Sequence, residues 1–538
     1  QLQPGANGSR IVDPRYPDLL FRPDSRLVSQ KHMMLEVQNI YARLTMVENQ
    51  CITVEGQTTK PSGIQPPFSW QWLTALHITL LHEHCDFFLA LQYPSLPPTF
   101  HGLAIRYDMP ARLWRHGVGS FLKLLRRCHP ESNEYMISFV YRALQILTWL
   151  YEAVPAFQDS WMEYLGDLAQ YPMTFTQDRE PWLRVARYWY CKAANMNPSI
   201  GHLYHHLGVI ARPNALQELY YFARSLTCVE RFKLARDSIL KLLDDPIEGL
   251  PSNSFSHVPP IHRSYIQAHG VLLKKLSPQT FEDAKFAFQN QLDSYIGRVT
   301  TTWKEEGVYI AVTNISGLFN YGADDSILRL ALQLHEKGSR TGSSDSIRSS
   351  TPAPSPSSPS ITRAEVPAKL ETLLGNFAVS RAYDLTMTTL SLVLQRKGDK
   401  NVLPHVYILL GFFANIAPVE YVNQLNNGAP WSEIASFLNA LLLERPDQFV
   451  PGPVFGADKE DNQPLPEDYQ IRGQIWSQSY FPDSWFSRER DEEDYYLELP
   501  STTNSRTKRI FRLGYYLSTF NCWMVYNQAW HTFSAINP

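Results

Sequence analysis

The chain has 538 residues, 44% of them hydrophobic and 13% aromatic, which is the composition of a folded protein rather than a disordered one. Its formal net charge of −3 excludes any general attraction of the whole chain to nucleic acid or to an anionic membrane, so a basic site must be local. The six cysteines are scattered without a C-x-x-C pair, no basic-then-apolar leader opens the sequence, and no apolar run approaches membrane-spanning length. A cytoplasmic or nuclear protein with free thiols is the expectation.

In chain order, residues 1–25 are Pro- and Gly-rich and predict an irregular segment. Met33, Val37, Ile40, Leu44, Val47 and Cys51 then recur at steps of four and three, one apolar face of a long helix. After a loop at 57–67, a second helix is expected over 69–92, followed by a Pro-rich connection. Pro110 suits the first turn of a third helix. On it Arg112, Arg115, His116, Lys123, Arg126 and Arg127 fall within a sector of about 120° at about 100° per residue. No acid interrupts 109–130, so this stripe is a candidate phosphate site, with a solvated amphipathic face as the plain alternative. A fourth helix is expected over 133–151 and another over 161–170.

Residues 182–226 carry the sharpest pattern. Ala186, Tyr190, Ala193 and Pro198 match the small–aromatic–small–Pro spacing of a tetratricopeptide hairpin. Tyr204, Leu207 and Gly208 continue it into the next repeat, and Ala211 departs from it. Small residues let two helices approach, the aromatic fills the gap between layers, and Pro198 ends its helix. Arg184 and Arg187, on the first of these helices, are further candidates for phosphate or nucleic-acid binding. His205 and His206 are adjacent, so their side chains are expected to point apart. Helices are also expected at about 230–243, 261–275, 280–295, 303–335 (interrupted near Gly317 and Gly322), 364–397, 404–416 and 429–444. The Ser/Pro-rich 338–363 predicts a disordered linker with Thr351-Pro352, Ser355-Pro356 and Ser358-Pro359 as phosphorylation candidates. Residues 446–500 predict an irregular excursion, and a helix or strand pair from about 505 closes the chain. Phosphate-loop, dinucleotide and nucleophile-elbow signatures are absent. The histidines and Cys85 of the second helix lack metal-ligand spacing, so no catalytic residue, metal or cofactor is expected.

The run from Trp189 to Leu226 resembles the DNA/RNA-binding domain of the Est/SMG family, the ever-shorter-telomeres telomerase accessory proteins and the SMG adaptors of nonsense-mediated mRNA decay. The resemblance rests on Pro198, on Gly201, Tyr204 and Leu207, and on Tyr221-Phe222 with Ser225-Leu226. Upstream Leu165-Gly166-Asp167-Leu168, and downstream Leu465-Pro466-Glu467-Asp468 with Ile471-Arg472-Gly473, extend it. It implies an all-α fold: 14-3-3-like helices over 26–160, a tetratricopeptide-like DNA/RNA-binding domain over 161–337, and a C-terminal helical region over 364–538. It also implies a non-enzymatic adaptor, nuclear or cytoplasmic, whose partners would be a phosphorylated RNA helicase, RNA or single-stranded telomeric DNA, with no membrane. The family's phosphoserine-binding Arg is replaced by Gln170, and Pro172 replaces a second basic residue, so a bidentate phosphate clamp is missing there. The alternative function is direct single-strand binding through the basic helix 111–127, with Trp114, Tyr188 and Trp189 as stacking partners.

Overall fold

The computed structural model describes residues 29–58, 70–176, 178–247, 258–340, 365–446, 449, 451–455, 463–486, 498 and 500–536. The expected N-terminal segment, most of the 57–67 loop and nearly all of the Ser/Pro linker lie outside them. The architecture is all-α, as expected, with one short hairpin, and the chain forms two compact units, residues 1–177 and 178–538. No described helix is long and apolar enough to cross a membrane.

The first unit contains α1 (Gln30–Thr58), α2 (Trp70–Leu91), short turns α3 (Pro98–His101), α4 (Leu103–Arg106) and α5 (Met109–Arg112), then α6 (Ser120–Arg127), α7 (Asn133–Ala153) and α8 (Gln158–Gln170). The periodic apolar face of α1, Met33 to Cys51, is buried as its spacing requires. Between α5 and α6 the chain does not stay α-helical. Leu113–Gly119 is a π-helix, a wider turn that takes more residues per revolution. Gly117 and Gly119 suit it: a Cβ on Gly117 would sit 2.9 Å from Leu81, and one on Gly119 would sit 3.2 Å from the Trp114 carbonyl. His77, fully buried on α2, braces the turn with Nδ1 3.1 Å from the Gly117 carbonyl and its ring stacked on Phe121.

The second unit opens with α9 (Glu180–Met196), α10 (Gly201–Ile210) and α11 (Ala215–Thr227). Ala186, Tyr190 and Ala193 are buried, as close-approach positions should be. Array helices α12 (Ala235–Ile247), α13 (Pro260–Lys274), α14 (Pro278–Val299), α15 (Trp303–Leu318), α16 (Ile327–Arg340), α17 (Val366–Leu374), α18 (Phe377–Leu394), α19 (Leu403–Ile416) and α20 (Trp431–Glu444) follow. The excursion after α20 contains the short α21 (Pro466–Ile471). Helix α22 (Pro500–Ser518) and the antiparallel pair β1 (Met524–Asn527) and β2 (Thr532–Ala535) end the chain. One continuous apolar core runs from α11 to β2, with α15 and α19 almost wholly inside it. Where the sequence offers helix or strands at the C-terminus, the structure has both. Asn439 of α20 serves as a substitute third strand: its side chain accepts from Phe533 N and donates to Phe533 O, each at 2.8 Å, covering the outer edge of β2.

Candidate nucleic-acid interface

Within the second unit, the residues that carry the family resemblance gather around α10, α11 and α21, largely buried. Arg224 of α11 stands 3.9 Å over the Tyr204 ring and donates to the Tyr204 and Tyr220 hydroxyls at 3.0 and 2.9 Å. It also donates to the carbonyls of Tyr469 and Arg472, at 2.8 and 2.9 Å, across some 245 residues of sequence. The loop after α21 therefore locks onto α10 and α11. Gly473 (φ +78°) sits there because a Cβ would collide with the Pro198 carbonyl, and Val229 N donates to Gly473 O at 3.1 Å. Gly208 faces the Phe222 ring, where a Cβ would be 2.6 Å away, and Ser225 donates its hydroxyl to Gly201 O at 2.6 Å.

The acids of Leu465-Pro466-Glu467-Asp468 are equally internal. Asp468 caps the Leu465 N–H at 2.9 Å and accepts from Tyr407 at 2.6 Å and Arg509 at 2.8 Å, while Glu467 pairs with Arg506. Arg506 and Arg509 are both 2% exposed, so these cations of α22 are buried rather than at the surface. The signature residues thus build the scaffold, and any ligand must meet the outward faces of the same helices.

On α9 that outward face carries charge and aromatic surface together. Arg184, Arg187 and the Tyr188 ring are exposed, and Trp189 lies beside Tyr188 with ring centroids 5.0 Å apart. Lys192 places its ammonium 5.4 Å from the Tyr188 ring centre and 5.7 Å from that of Trp189. Arg184 pairs with Glu180 at 3.7 Å, both side chains more than half exposed, a contact worth little in water. The sequence placed Arg184 and Arg187 as candidates, and the structure sets them on this face.

The 112–127 stripe is different in the structure. Its regular-helix register is corrected by the π-turn at Leu113–Gly119, which changes the angular spacing on which the 120° sector was counted. Arg112 is not an available cation: it donates to Glu48 of α1 at 2.9 Å and to the Tyr41 hydroxyl at 3.2 Å. The acid missing from 109–130 arrives from 64 residues earlier. Arg115, Lys123, Arg126 and Arg127 are exposed, but Asp167 of α8 is close enough to share the surroundings of Tyr164 with Arg115 and those of Tyr171 with Arg126. Burial, with Glu163, Asp108 and Asp167, pushes the Tyr164 hydroxyl up to about 12 against the pull of Arg115. Trp114, expected as a stacking partner, is already stacked on Tyr164 with centroids 4.8 Å apart.

Residues 186–294 match the family model of the Est1 DNA/RNA binding domain. This stretch belongs to the Est1 DNA/RNA binding domain family. The match begins on α9 and ends within α14, so it holds the Arg224 knot and part of the α9 face, including Arg187, Tyr188 and Lys192. No curated protein matches the sequence. The fold is similar to that of a chain in the crystal structure of Est1 and Cdc13, over 93% of this chain and 99% of that chain, with a TM-score of 0.51 and 10% identity. At that identity the likeness concerns the fold.

Sequence reasoning missed one feature of the Est1-type domain. His202, His205, His206 and Val209 follow i, i+3, i+4, i+7 spacing and share the outward face of α10. His205 and His206 do not point apart, as adjacency had suggested: their rings lie 5.9 Å apart, because about 100° between neighbours keeps both on a broad face. Burial and the neighbouring His206 and His202 hold the His205 imidazole down at about 4. Among the described residues no group of three or more His, Cys, Asp or Glu is arranged to hold a metal ion.

Proposed function

We propose that this protein is a non-enzymatic adaptor that binds single-stranded nucleic acid through its Est1-type domain and joins it to a protein partner in telomere maintenance. The observation that carries the reading is the basic–aromatic face of α9, with Arg184, Arg187 and Tyr188 exposed and Lys192 half-buried beside them, most of it inside the matched domain. Cations satisfy phosphates and exposed rings stack bases, which together make a sequence-tolerant single-strand site. The fold likeness to a chain crystallised as Est1 and Cdc13 supports the telomeric setting and a protein partner, and with it a nuclear location. Arg112 of the first unit is held by Glu48 and Tyr41 and has no part in this reading. The decay-factor reading, with its phosphorylated helicase partner, is disfavoured by Gln170 at the family's Arg position.

Fluorescence anisotropy with labelled U15 RNA and dT15 across a salt series tests this. Reversing Arg184 and Arg187 to Glu should weaken binding and make the log–log salt slope shallower by about 0.7 for each phosphate that is no longer neutralised. An unaltered slope would remove α9 from the interface.

A further inference from the structure

The outward face of α10 is joined by a ring from another segment. The loop after α11 runs back along the start of α10: Gly201 N donates to Glu230 O at 2.7 Å and Glu230 N to Ser199 O at 2.9 Å. Gly201 permits this approach, since a Cβ would collide with Ser225 O and lie 2.8 Å from Phe232 N. The result is that Phe232 stands beside the histidines, with ring centroids 5.0 Å from His205 and 6.3 Å from His202. His206 continues the row, 6.2 Å from His202, and lies nearly parallel to Tyr190 of α9 at 4.9 Å.

The rings are held in place without being covered. His206 is fixed by its stack on Tyr190, and His205 by Nε2 at 2.9 Å from the Ser238 hydroxyl, yet His202, His205, His206 and Phe232 all remain half-buried. A row meant only to seal two helix layers would gain more from Leu or Ile, which bury apolar area without imidazole nitrogens to hydrate. The rings stand steeply to one another, 87° for His202 and His206 and 65° for His202 and Phe232, so each offers a separate face, half in water and already oriented, that loses little entropy when a base lands on it. Beyond Phe232, Lys233 and Arg231 converge on the exposed carboxylate of Asp324, Lys233 at 3.0 Å with its side chain 66% exposed. Cations therefore flank the row at this end, and Arg187 lies one turn before Tyr190 on α9 at the other.

We propose that His202, His206 and Phe232 form a stacking platform for the bases of a single-stranded nucleic acid, with Lys233 at its edge for the backbone. This rests on the nucleic-acid reading above and adds the residues that meet the bases. Stacking on side chains is sequence-tolerant because every base presents a π-face, and it contributes affinity without counterion release. The platform and the α9 cations should therefore separate experimentally.

The test uses the full chain and the same U15 and dT15 probes. His202→Ala with His206→Ala should weaken binding roughly tenfold or more while leaving the salt slope unchanged, and Phe replacing both histidines should restore affinity. Phe232 also packs on the core, so Phe232→Ala is judged against Phe232→Tyr, which keeps the ring. Parental affinity in the double Ala variant, or failure of the Phe pair to restore binding, would overturn the platform while the nucleic-acid reading stands. If the parent itself binds neither probe, that reading falls and the platform with it.

Discussion

Arg224→Met should destabilise the second unit by about 2–4 kcal/mol, because buried acceptors left without a donor cost about 1–3 kcal/mol each. Arg224 is 4% exposed and holds two tyrosine hydroxyls and two carbonyls, Tyr469 of α21 and Arg472 just after it. Without it the Tyr469 and Arg472 carbonyls lose a donor in a place water does not reach, and the Tyr204 ring loses the cation stacked on it. Lys at this position should not rescue, because a single ammonium cannot span groups that a planar fork reaches together. Urea unfolding of the parent, Arg224→Met and Arg224→Lys checks this. A loss below about 1 kcal/mol for Met, on the scale of an ordinary surface substitution, would mean that the loop is held by other contacts.

Acid should be the second strong perturbation. His269 and His405 are buried in the second unit, and burial holds both imidazoles down at about 4. His84 in the first unit is held at about 3, by burial first and then by Arg112 and His116, and neither of its ring nitrogens has a hydrogen-bond partner. An unfolded histidine takes up its proton near pH 6.5, whereas these folded ones refuse it until far lower. The stability that comes from keeping them neutral is therefore complete above pH 6.5 and is lost as pH falls towards 4. Each contributes a slope of up to about 1.4 kcal/mol per pH unit in that window, so the pair in the second unit should give roughly 3. Urea midpoints measured from pH 7 to pH 4.5 should fall accordingly, and His405→Gln should make the fall shallower. A flat profile would show that these histidines gain protons in the folded state.

The helices were legible because their signals are local. The apolar steps of α1 and the Ala186–Pro198 spacing reflect packing within one or two turns, and both match the structure. The geometry of the basic stripe differs from the regular-helix count for two reasons. A π-turn broke the period that the count assumed, and Glu48 reached Arg112 from another helix. The α10 histidine face is written in the sequence at helical spacing, in the i, i+4 pair His202 and His206, and adjacency of His205 and His206 hides it only when neighbours are taken to point apart. Phe232 could not have been added by pattern. It joins the row because Gly201 lets a distant loop lie against α10. Likewise nothing near Arg224 in sequence announces that its carbonyl partners are Tyr469 and Arg472.

The central claim, that a single strand lies on the outward faces of α9 and α10, is tested most directly by photocrosslinking a U15 RNA carrying 4-thiouridine to the full chain and mapping the modified peptides. Crosslinks should fall within residues 184–192 and 202–233, with Tyr188, His202, His206 and Phe232 as the expected sites. Crosslinks confined to residues 112–127 of the first unit would contradict the account and return the basic stripe as the interface.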